Sequence, residues 1–113
     1  MSESKLQSRV VYRAKKYGWT AIHAGKGQVG ASGFFVTPMA KGWPDLTCLK
    51  AGNRALFMEL KRELGTLEPE QVEMLQLLNR CGVRAIVVRP SDLREGRVEA
   101  IFRDGDPLGA DPG

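Results

Sequence analysis

Two acidic residues and a lysine lie at the ends of two neighbouring strand-like segments. Asp45 precedes the run 46–50, and Glu59 and Lys61 close the run that begins at residue 55. Because side chains two positions apart on a strand point to the same face, Glu59 and Lys61 project together. Two carboxylates with a lysine beside them form a site for a hard divalent cation and for a water molecule that can be activated next to it. The spacing therefore indicates metal-assisted hydrolysis.

The turn between these runs decides whether the two acids meet. A three-residue loop at 51–53 would place Asp45 opposite Glu59, and opposed residues of an antiparallel pair face the same side. A two-residue turn would instead pair Leu46 with Glu59 and send Asp45 to the other face. The metal-site interpretation therefore predicts an odd-length loop, unless a bulge intervenes or Asp45 lies just before the regular strand.

Hydrophobic periodicity predicts the elements that must position this chemistry. Apolar residues at helical spacing indicate helices at 3–17 and 69–80, the second with Pro69 in its first turn. The predicted strands, in chain order, are 19–24, 46–50, 55–60, 84–88 and a weaker 97–102. The order helix, strand, strand, strand, helix, strand indicates an α/β fold with a mixed β-sheet flanked by helices. The strand that follows the second helix should run parallel to a neighbour.

Two segments lack such patterns. Residues 25–43 are rich in glycine, and apart from a possible short strand at 34–36 they are typical of a loop. A loop this long in a small domain is usually functional or disordered. From residue 104 onward Pro, Gly and Asp dominate, so we expect 103–113 to be a disordered tail. A chain of 113 residues forms one domain, which we place at 1–102.

Net charge separates the tail from the rest of the chain. The chain carries +4, and one arginine against three aspartates gives residues 103–113 a charge of −2, which leaves +6 on residues 1–102. A basic domain favours a polyanionic partner. No apolar run approaches the roughly 20 residues that span a membrane, and the N-terminus lacks the apolar core of a secretory signal. We therefore expect a cytoplasmic protein with no membrane partner.

The two cysteines do not indicate a metal centre. Cys48 and Cys81 are too few and too far apart for a zinc motif. Cys48 falls in a predicted strand and Cys81 at the end of a predicted helix. Because free cysteine is among the most buried residue types, we expect both to be reduced and packed.

Four short sequences together resemble a known nuclease family. They are, in chain order, Glu3-Ser4-Lys5-Leu6-Gln7, Gly42-Trp43-Pro44-Asp45-Leu46, Glu59-Leu60-Lys61 and Pro69-Glu70-Gln71. Asp45 followed by Glu59-x-Lys61 resembles the PD-(D/E)XK nuclease signature. The four sequences in this order resemble its VRR-NUC branch, the virus-type replication-repair nucleases. The resemblance runs from about residue 3 to residue 102, and the fold that it implies agrees with the element order above.

This resemblance implies roles for individual residues. Asp45 and Glu59 would bind Mg²⁺, for which Mn²⁺ can substitute, and the backbone carbonyl of Leu60 would be a further metal ligand. Lys61 would orient the attacking water or stabilise charge on the phosphate oxygens. Gln71 occupies the position of the VRR-NUC glutamine, and its amide could reach Lys61 or the phosphate.

Two residues of the first helix are further candidates. Glu3 could reach the metal, directly or through a water, or it could favour the positive N-terminus of the helix. Gln7 could contact the same cluster, or it could complete a capping box with Ser4. The two interpretations conflict in part, because Ser4 as the cap would leave Glu3 outside the helix.

Basic residues near the acids are candidates for DNA contacts. His23, the only histidine of the chain, would line the strand near the cleft and contact phosphate. Lys26 and Lys41 lie in the glycine-rich segment and would contact phosphate from there. Trp43 could stack on a base or pack beside the strand.

The function implied is a metal-dependent endonuclease that leaves 5′-phosphate and 3′-hydroxyl ends. Stand-alone VRR-NUC proteins resemble Holliday-junction resolvases and tend to be homodimers, so we expect branched DNA, such as a four-way junction, as substrate and a homodimer as the assembly. Two active sites related by a twofold axis would suit paired nicks. Flap or general nicking activity is the nearest alternative, and a DNA-binding module that keeps the fold without turnover is another. The family resemblance also suggests a phage or a mobile element as the source.

Overall fold

The computed structural model describes residues 1–24 and 41–109. This part of the chain contains four helices and four strands. In chain order they are α1 (Glu3–Lys16), β1 (Thr20–His23), β2 (Leu46–Leu49), β3 (Leu56–Leu60), α2 (Pro69–Arg80), β4 (Arg84–Val88), α3 (Pro90–Arg94) and α4 (Arg97–Asp104). The predicted order is confirmed through β4. The short strand considered at 34–36 lies outside the described residues. None of the described helices is long and apolar enough to cross a membrane.

The strands form one mixed sheet in the order β1-β2-β3-β4. Strands β1, β2 and β3 pair antiparallel, and β4 pairs parallel with β3 after the crossover through α2. The prediction of a mixed sheet flanked by helices is therefore confirmed, including the parallel strand after the second helix. A parallel partner needs such a crossover, because a hairpin can only join antiparallel strands.

The register of β2 and β3 matches the odd-length loop. Leu46 pairs with Met58 and Cys48 with Leu56. Continued by one residue, this register places Asp45 opposite Glu59, as the metal-site interpretation requires. The backbone N–H of Asn53 donates to the carbonyl of Lys50 at 3.1 Å and closes the connection.

Helices cover both faces of the sheet. Helices α1 and α4 pack on one face, where the core comprises Leu6, Val10, Ala14, Trp19, Leu46, Cys48, Leu56, Met58, Leu60, Val88, Val98 and Phe102. Helix α2 packs on the other face with a smaller cluster around Leu75, Leu78 and Ala85. Alternate residues of β3 therefore point to different helices. Glu59 lies on the α2 side, between Met58 and Leu60 of the larger core.

The prediction of a weak strand at 97–102 is wrong, because these residues belong to α4. Val98 and Phe102 are fully buried in the larger core. They lie four residues apart, which is a helical spacing. An apolar run this short does not distinguish a buried strand from a buried helix. Pro90, two residues after the end of β4, occupies the first turn of α3.

The predicted disorder of the tail does not hold for residues 103–109. The backbone N–H of Arg54 donates to the carbonyl of Asp106, and the N–H of Leu108 donates to the carbonyl of Gly52, each at 2.8 Å. The side chain of Asn53 accepts from the N–H of Asp106 at 2.9 Å. Backbone hydrogen bonds to the β2–β3 turn thus replace the apolar anchors that this sequence lacks. Residues 110–113 lie outside the described part of the chain.

Gly42 holds the chain that leads to Asp45 against helix α2. Its φ angle is +84°, and a Cβ at this position would lie 2.5 Å from the backbone oxygen of Glu70. Gly52 has nearly the same φ, +82°, but a Cβ there would meet nothing within 4 Å. The two glycines therefore share a backbone conformation and differ in the space around them.

This pair gives a matched stability prediction. Gly52→Ala should lower the free energy of unfolding by about 1–2 kcal/mol, the cost of a left-handed residue with a Cβ. Gly42→Ala should cost at least about 1 kcal/mol more, because the added atom displaces α2. Urea unfolding followed by circular dichroism measures both values. Equal losses for the two variants would contradict the close approach of Gly42 to Glu70.

The two cysteines differ in burial. Cys48 is fully buried in β2, whereas Cys81, predicted to be packed, is exposed at the end of α2. Burial raises the pKa of the Cys48 thiol to about 12.

A thiol reagent such as DTNB should therefore modify one thiol per native chain at pH 8, since the thiolate is the reactive form, and two thiols in urea. Native Cys81→Ser should not react; rapid modification of that variant would contradict the burial of Cys48.

Candidate active site

Asp45 joins three strands at one end of the sheet. Its side chain is only 6% exposed, and its Oδ2 accepts a hydrogen bond of 2.8 Å from the backbone N–H of Leu60. Its own backbone carbonyl accepts from the N–H of Ala24 at 2.9 Å, just beyond β1. The carboxylate is therefore fixed between the start of β2 and the end of β3.

Glu59 lies beside it and is held from helix α2. Its side chain is 1% exposed, and Oε1 accepts a hydrogen bond of 3.1 Å from Nε2 of Gln71. The other end of the same amide, Oε1 of Gln71, accepts from the backbone N–H of Glu68 at 2.8 Å and caps α2. Because the amide oxygen is engaged by the cap, the NH₂ group must face Glu59. The cap of the helix thus orients a donor toward the acid.

The backbone of Leu60 presents its carbonyl toward Asp45. The N–H of Lys61 donates to the carbonyl of Val88 at 3.0 Å, so residue 61 faces β4. Successive residues of a strand turn their backbone groups to opposite neighbours. Leu60 therefore directs both its N–H and its carbonyl toward β2, beyond the last β2–β3 pair at Leu46 and Met58. The carbonyl lies on the side where the family resemblance requires a metal ligand.

These donors fit a hard divalent cation. In residues 1–24 and 41–109 no group of three or more His, Cys, Asp and Glu side chains could hold a metal, so the candidate protein ligands are the two carboxylates with the Leu60 carbonyl. Mg²⁺ accepts such a sparse shell, because it takes oxygen ligands and keeps several waters.

A cleft of about 210 Å³ opens beside Asp45 and Leu60. His23 of β1 lines it, as do Glu3, Ser4 and Gln7 from the first turns of α1. Four of the predicted site residues therefore share one cleft with the Leu60 segment. Glu59 and Gln71 meet on the α2 side of the same strand end.

The start of α1 decides between the two interpretations of Gln7. The N-cap is Ser2, whose Oγ accepts from the N–H of Lys5 at 3.1 Å, and the helix begins at Glu3. Ser4 is therefore inside the helix, and the capping box that it would form with Gln7 is absent. Both Glu3 and Gln7 are free of that constraint and line the cleft.

The predicted basic residues and Trp43 differ in their burial and in their contacts. Lys61 is half-buried, two residues after Glu59 and on the same face of the strand. Lys41 forms an ion pair of 3.1 Å with Glu70. Trp43 packs edge-on against Phe57 at 5.5 Å between ring centroids and stays 39% exposed. Lys26 lies outside the described residues.

One arginine that the sequence did not single out braces the segment after Lys61. Nη1 of Arg89 donates to the carbonyls of Arg62 and Gly65, both at 2.7 Å, and to that of Glu63 at 3.2 Å. Arg89 directly follows β4, the strand that pairs with β3. Because all three acceptors are backbone carbonyls, no pattern of residue types indicates this contact.

Comparisons with known proteins agree with this architecture. A family model for the VRR-NUC domain matches residues 30–92, more than half of the chain. A solved structure named VRR_NUC domain protein is similar with a TM-score of 0.62 and 20% sequence identity, over 94% of this chain and 92% of its own. At this identity the likeness concerns the fold. None of the curated proteins matches the chain.

The double role of Gln71 generates a prediction. Gln71→Glu keeps an acceptor for the Glu68 N–H but faces Glu59 with a second carboxylate, so it should lower the free energy of unfolding by about 1–3 kcal/mol at neutral pH. Gln76→Glu, at an exposed position of the same helix, serves as the control and should change stability little. Equal effects at both positions would contradict the Gln71–Glu59 contact.

Proposed function

Because the chain belongs to the VRR-NUC domain family, we propose that it is a metal-dependent DNA endonuclease with Asp45, Glu59 and Lys61 in its active site. Membership of the family implies a nuclease-type function with DNA as substrate. The observation that supports this active site best is the register of β2 and β3, which, continued by one residue, places the buried Asp45 opposite the buried Glu59. Lys61 follows on the same face.

The protein residues would divide the chemistry among them. Asp45, Glu59 and the Leu60 carbonyl would hold Mg²⁺, which when bound polarises a phosphate and lowers the pKa of a bound water. The Lys61 ammonium would orient the attacking water and stabilise negative charge that develops on the phosphate oxygens. Gln71 holds Glu59 in position, and the Leu60 N–H holds Asp45. This rigidity matters because hydrolysis depends on the placement of water and phosphate.

The finer part of the proposal is a branched substrate cut by a homodimer. Net charge of +4 supports contact with a polyanion. One domain of this size has little surface with which to hold several DNA arms. A twofold dimer would present two active sites for paired nicks, and Mn²⁺ should substitute for Mg²⁺. We further propose that Glu3 and Gln7 contribute from α1, and that His23, Lys26 and Lys41 contact DNA.

Nicking of supercoiled plasmid tests the catalytic assignment. With Mg²⁺ or Mn²⁺ the wild type should cut, and EDTA should abolish cutting. Lys61→Ala should reduce the rate about 10²–10³-fold, the usual effect of removing one transition-state donor, while DNA binding is retained. The ends should be 5′-phosphate and 3′-hydroxyl, which ligase can reseal.

Lys15→Ala is the matched control, because it also removes one positive charge but lies exposed on α1. It should cut at nearly the wild-type rate. Cutting by Lys61→Ala at the wild-type rate would indicate a contaminating nuclease or a wrong assignment. Binding without cutting by the wild type, on four-way, flap, splayed and duplex DNA, would instead identify a non-catalytic DNA-binding module.

A further inference from the structure

The turn that follows Lys61 is held rigidly and carries an exposed leucine at its tip. The N–H of Gly65 donates to the carbonyl of Arg62 at 3.0 Å, which closes a tight turn over residues 62–65. Arg89 binds three carbonyls of this turn. Leu64, at its third position, is 96% exposed. The fold thus fixes the backbone around an apolar side chain that contacts almost nothing.

A second set of contacts ties the turn to α3. The Glu63 carboxylate accepts from the backbone N–H of Ser91 and from Nη2 of Arg94, each at 3.2 Å. These bonds hold Arg94 beside the turn. Arg62 is exposed and forms no ion pair with the described residues. Besides Arg89, two guanidinium groups therefore stand near Leu64. That of Arg94 is paired with Glu63, and that of Arg62 can bind a ligand.

A cleft of about 490 Å³ lies at this place. Leu64 and Pro90 contribute apolar surface, and Arg62 and Arg94 contribute two positive charges against the one negative charge of Glu63, which also lines the cleft. A volume of this size is typical of small-ligand sites. An isolated exposed leucine is ordinary on a protein surface, but one that borders a cleft with a cationic rim has a specific chemical complement. The ligand that fits this cleft therefore has one flat apolar part and one anionic part.

This cleft is adjacent to the candidate active site. Arg62 and Met1 line this cleft, whereas Leu60 and Glu3 line the cleft at Asp45. Only two residues separate the linings on each segment, which is at most about 7 Å along an extended chain. A DNA strand rises about 3.4 Å per nucleotide. The spacing therefore corresponds to one or two nucleotides from a phosphate held at Asp45.

We propose that this cleft receives an unstacked nucleotide of the DNA substrate, with its base against Leu64 and Pro90 and its phosphate near Arg62 and Arg94. The proposal rests on the DNA endonuclease function above. Taking a base out of a paired duplex costs free energy, and the cost is lowest where the base is already unpaired. The cleft would therefore favour cutting next to a branch over cutting within a continuous duplex.

Base unstacking can be measured without cleavage. The probe is a four-way junction with 2-aminopurine beside the branch point, with a linear duplex carrying the same label for comparison. In the Lys61→Ala background with Mg²⁺, binding should raise the fluorescence of the junction. Leu64→Ser should abolish most of this rise. Leu108→Ser, at a leucine that is 63% exposed beside the β2–β3 turn, should leave it unchanged.

Cleavage gives the second readout. With Lys61 intact, Leu64→Ser should lower kcat/KM on the junction roughly five- to tenfold, near the lower end of what one lost base contact costs. Cutting of linear duplex should change less. Leu108→Ser should match the wild type on both substrates.

The outcomes separate this proposal from the nuclease assignment. The nucleotide cleft is wrong, and the nuclease assignment stands, if the wild type cuts the junction but binding of Lys61→Ala causes no fluorescence rise. The same conclusion follows if Leu64→Ser behaves like Leu108→Ser. If Leu64→Ser changes the sedimentation of the DNA-free protein, the turn is an interface between copies and the proposal is overturned. If Lys61→Ala cuts like the wild type, the nuclease assignment itself is wrong.

Discussion

The hydrogen bond from the Leu60 N–H to Asp45 depends on the register of β2 and β3, and the candidate site depends on both. A strand has a period of two, so a shift of one residue would move Asp45 to the opposite face from Glu59. The bond extends the pairing beyond Leu46 and Met58 by using a carboxylate in place of a backbone carbonyl. It therefore fixes the acid where β2 begins and leaves the Leu60 carbonyl directed toward the same side. The tail that binds the far turn of this hairpin supports the same register from its other end.

Much of this arrangement could be predicted from residue types and spacing. Residue types left a two-residue and a three-residue turn open at 51–53, and the metal-site interpretation favoured the odd-length loop, which places Asp45 opposite Glu59. Pro69 and the helical period of 69–80 located α2, and that helix carries Gln71 toward the acids. These features follow from local rules, because a turn length sets a hairpin register and a helical period sets a face. The membership of the chain in its family adds to these arguments but does not replace them.

The features that could not be predicted depend on contacts distant in sequence. Val98 and Phe102 form a helix because that geometry buries both in the core, which a short apolar run does not reveal. Backbone hydrogen bonds hold the segment 103–109, and amino-acid composition does not indicate such bonds. The orientation of the Gln71 amide depends on two partners, Glu59 and the N–H of Glu68. The Arg89 side chain binds only backbone carbonyls. Backbone acceptors are present at every position, so no sequence pattern distinguishes those that an arginine will use.

The departures from ordinary protein surfaces and interiors gather at the end of β3. Asp45 and Glu59 are acids in a buried place, and Leu64, five residues after Glu59, is an apolar side chain in an exposed one. Stability alone would favour the reverse arrangement, since buried carboxylates lose hydration and an exposed leucine gains nothing from the fold. The surrounding contacts nevertheless make both rigid, through Gln71 for the acid and through Arg89 for the turn. Proteins keep such local conflicts chiefly where a ligand resolves them. Under the two proposals above, a metal ion would lie against the buried acids and a nucleobase against Leu64, so one strand of DNA would pass both along this end of the sheet.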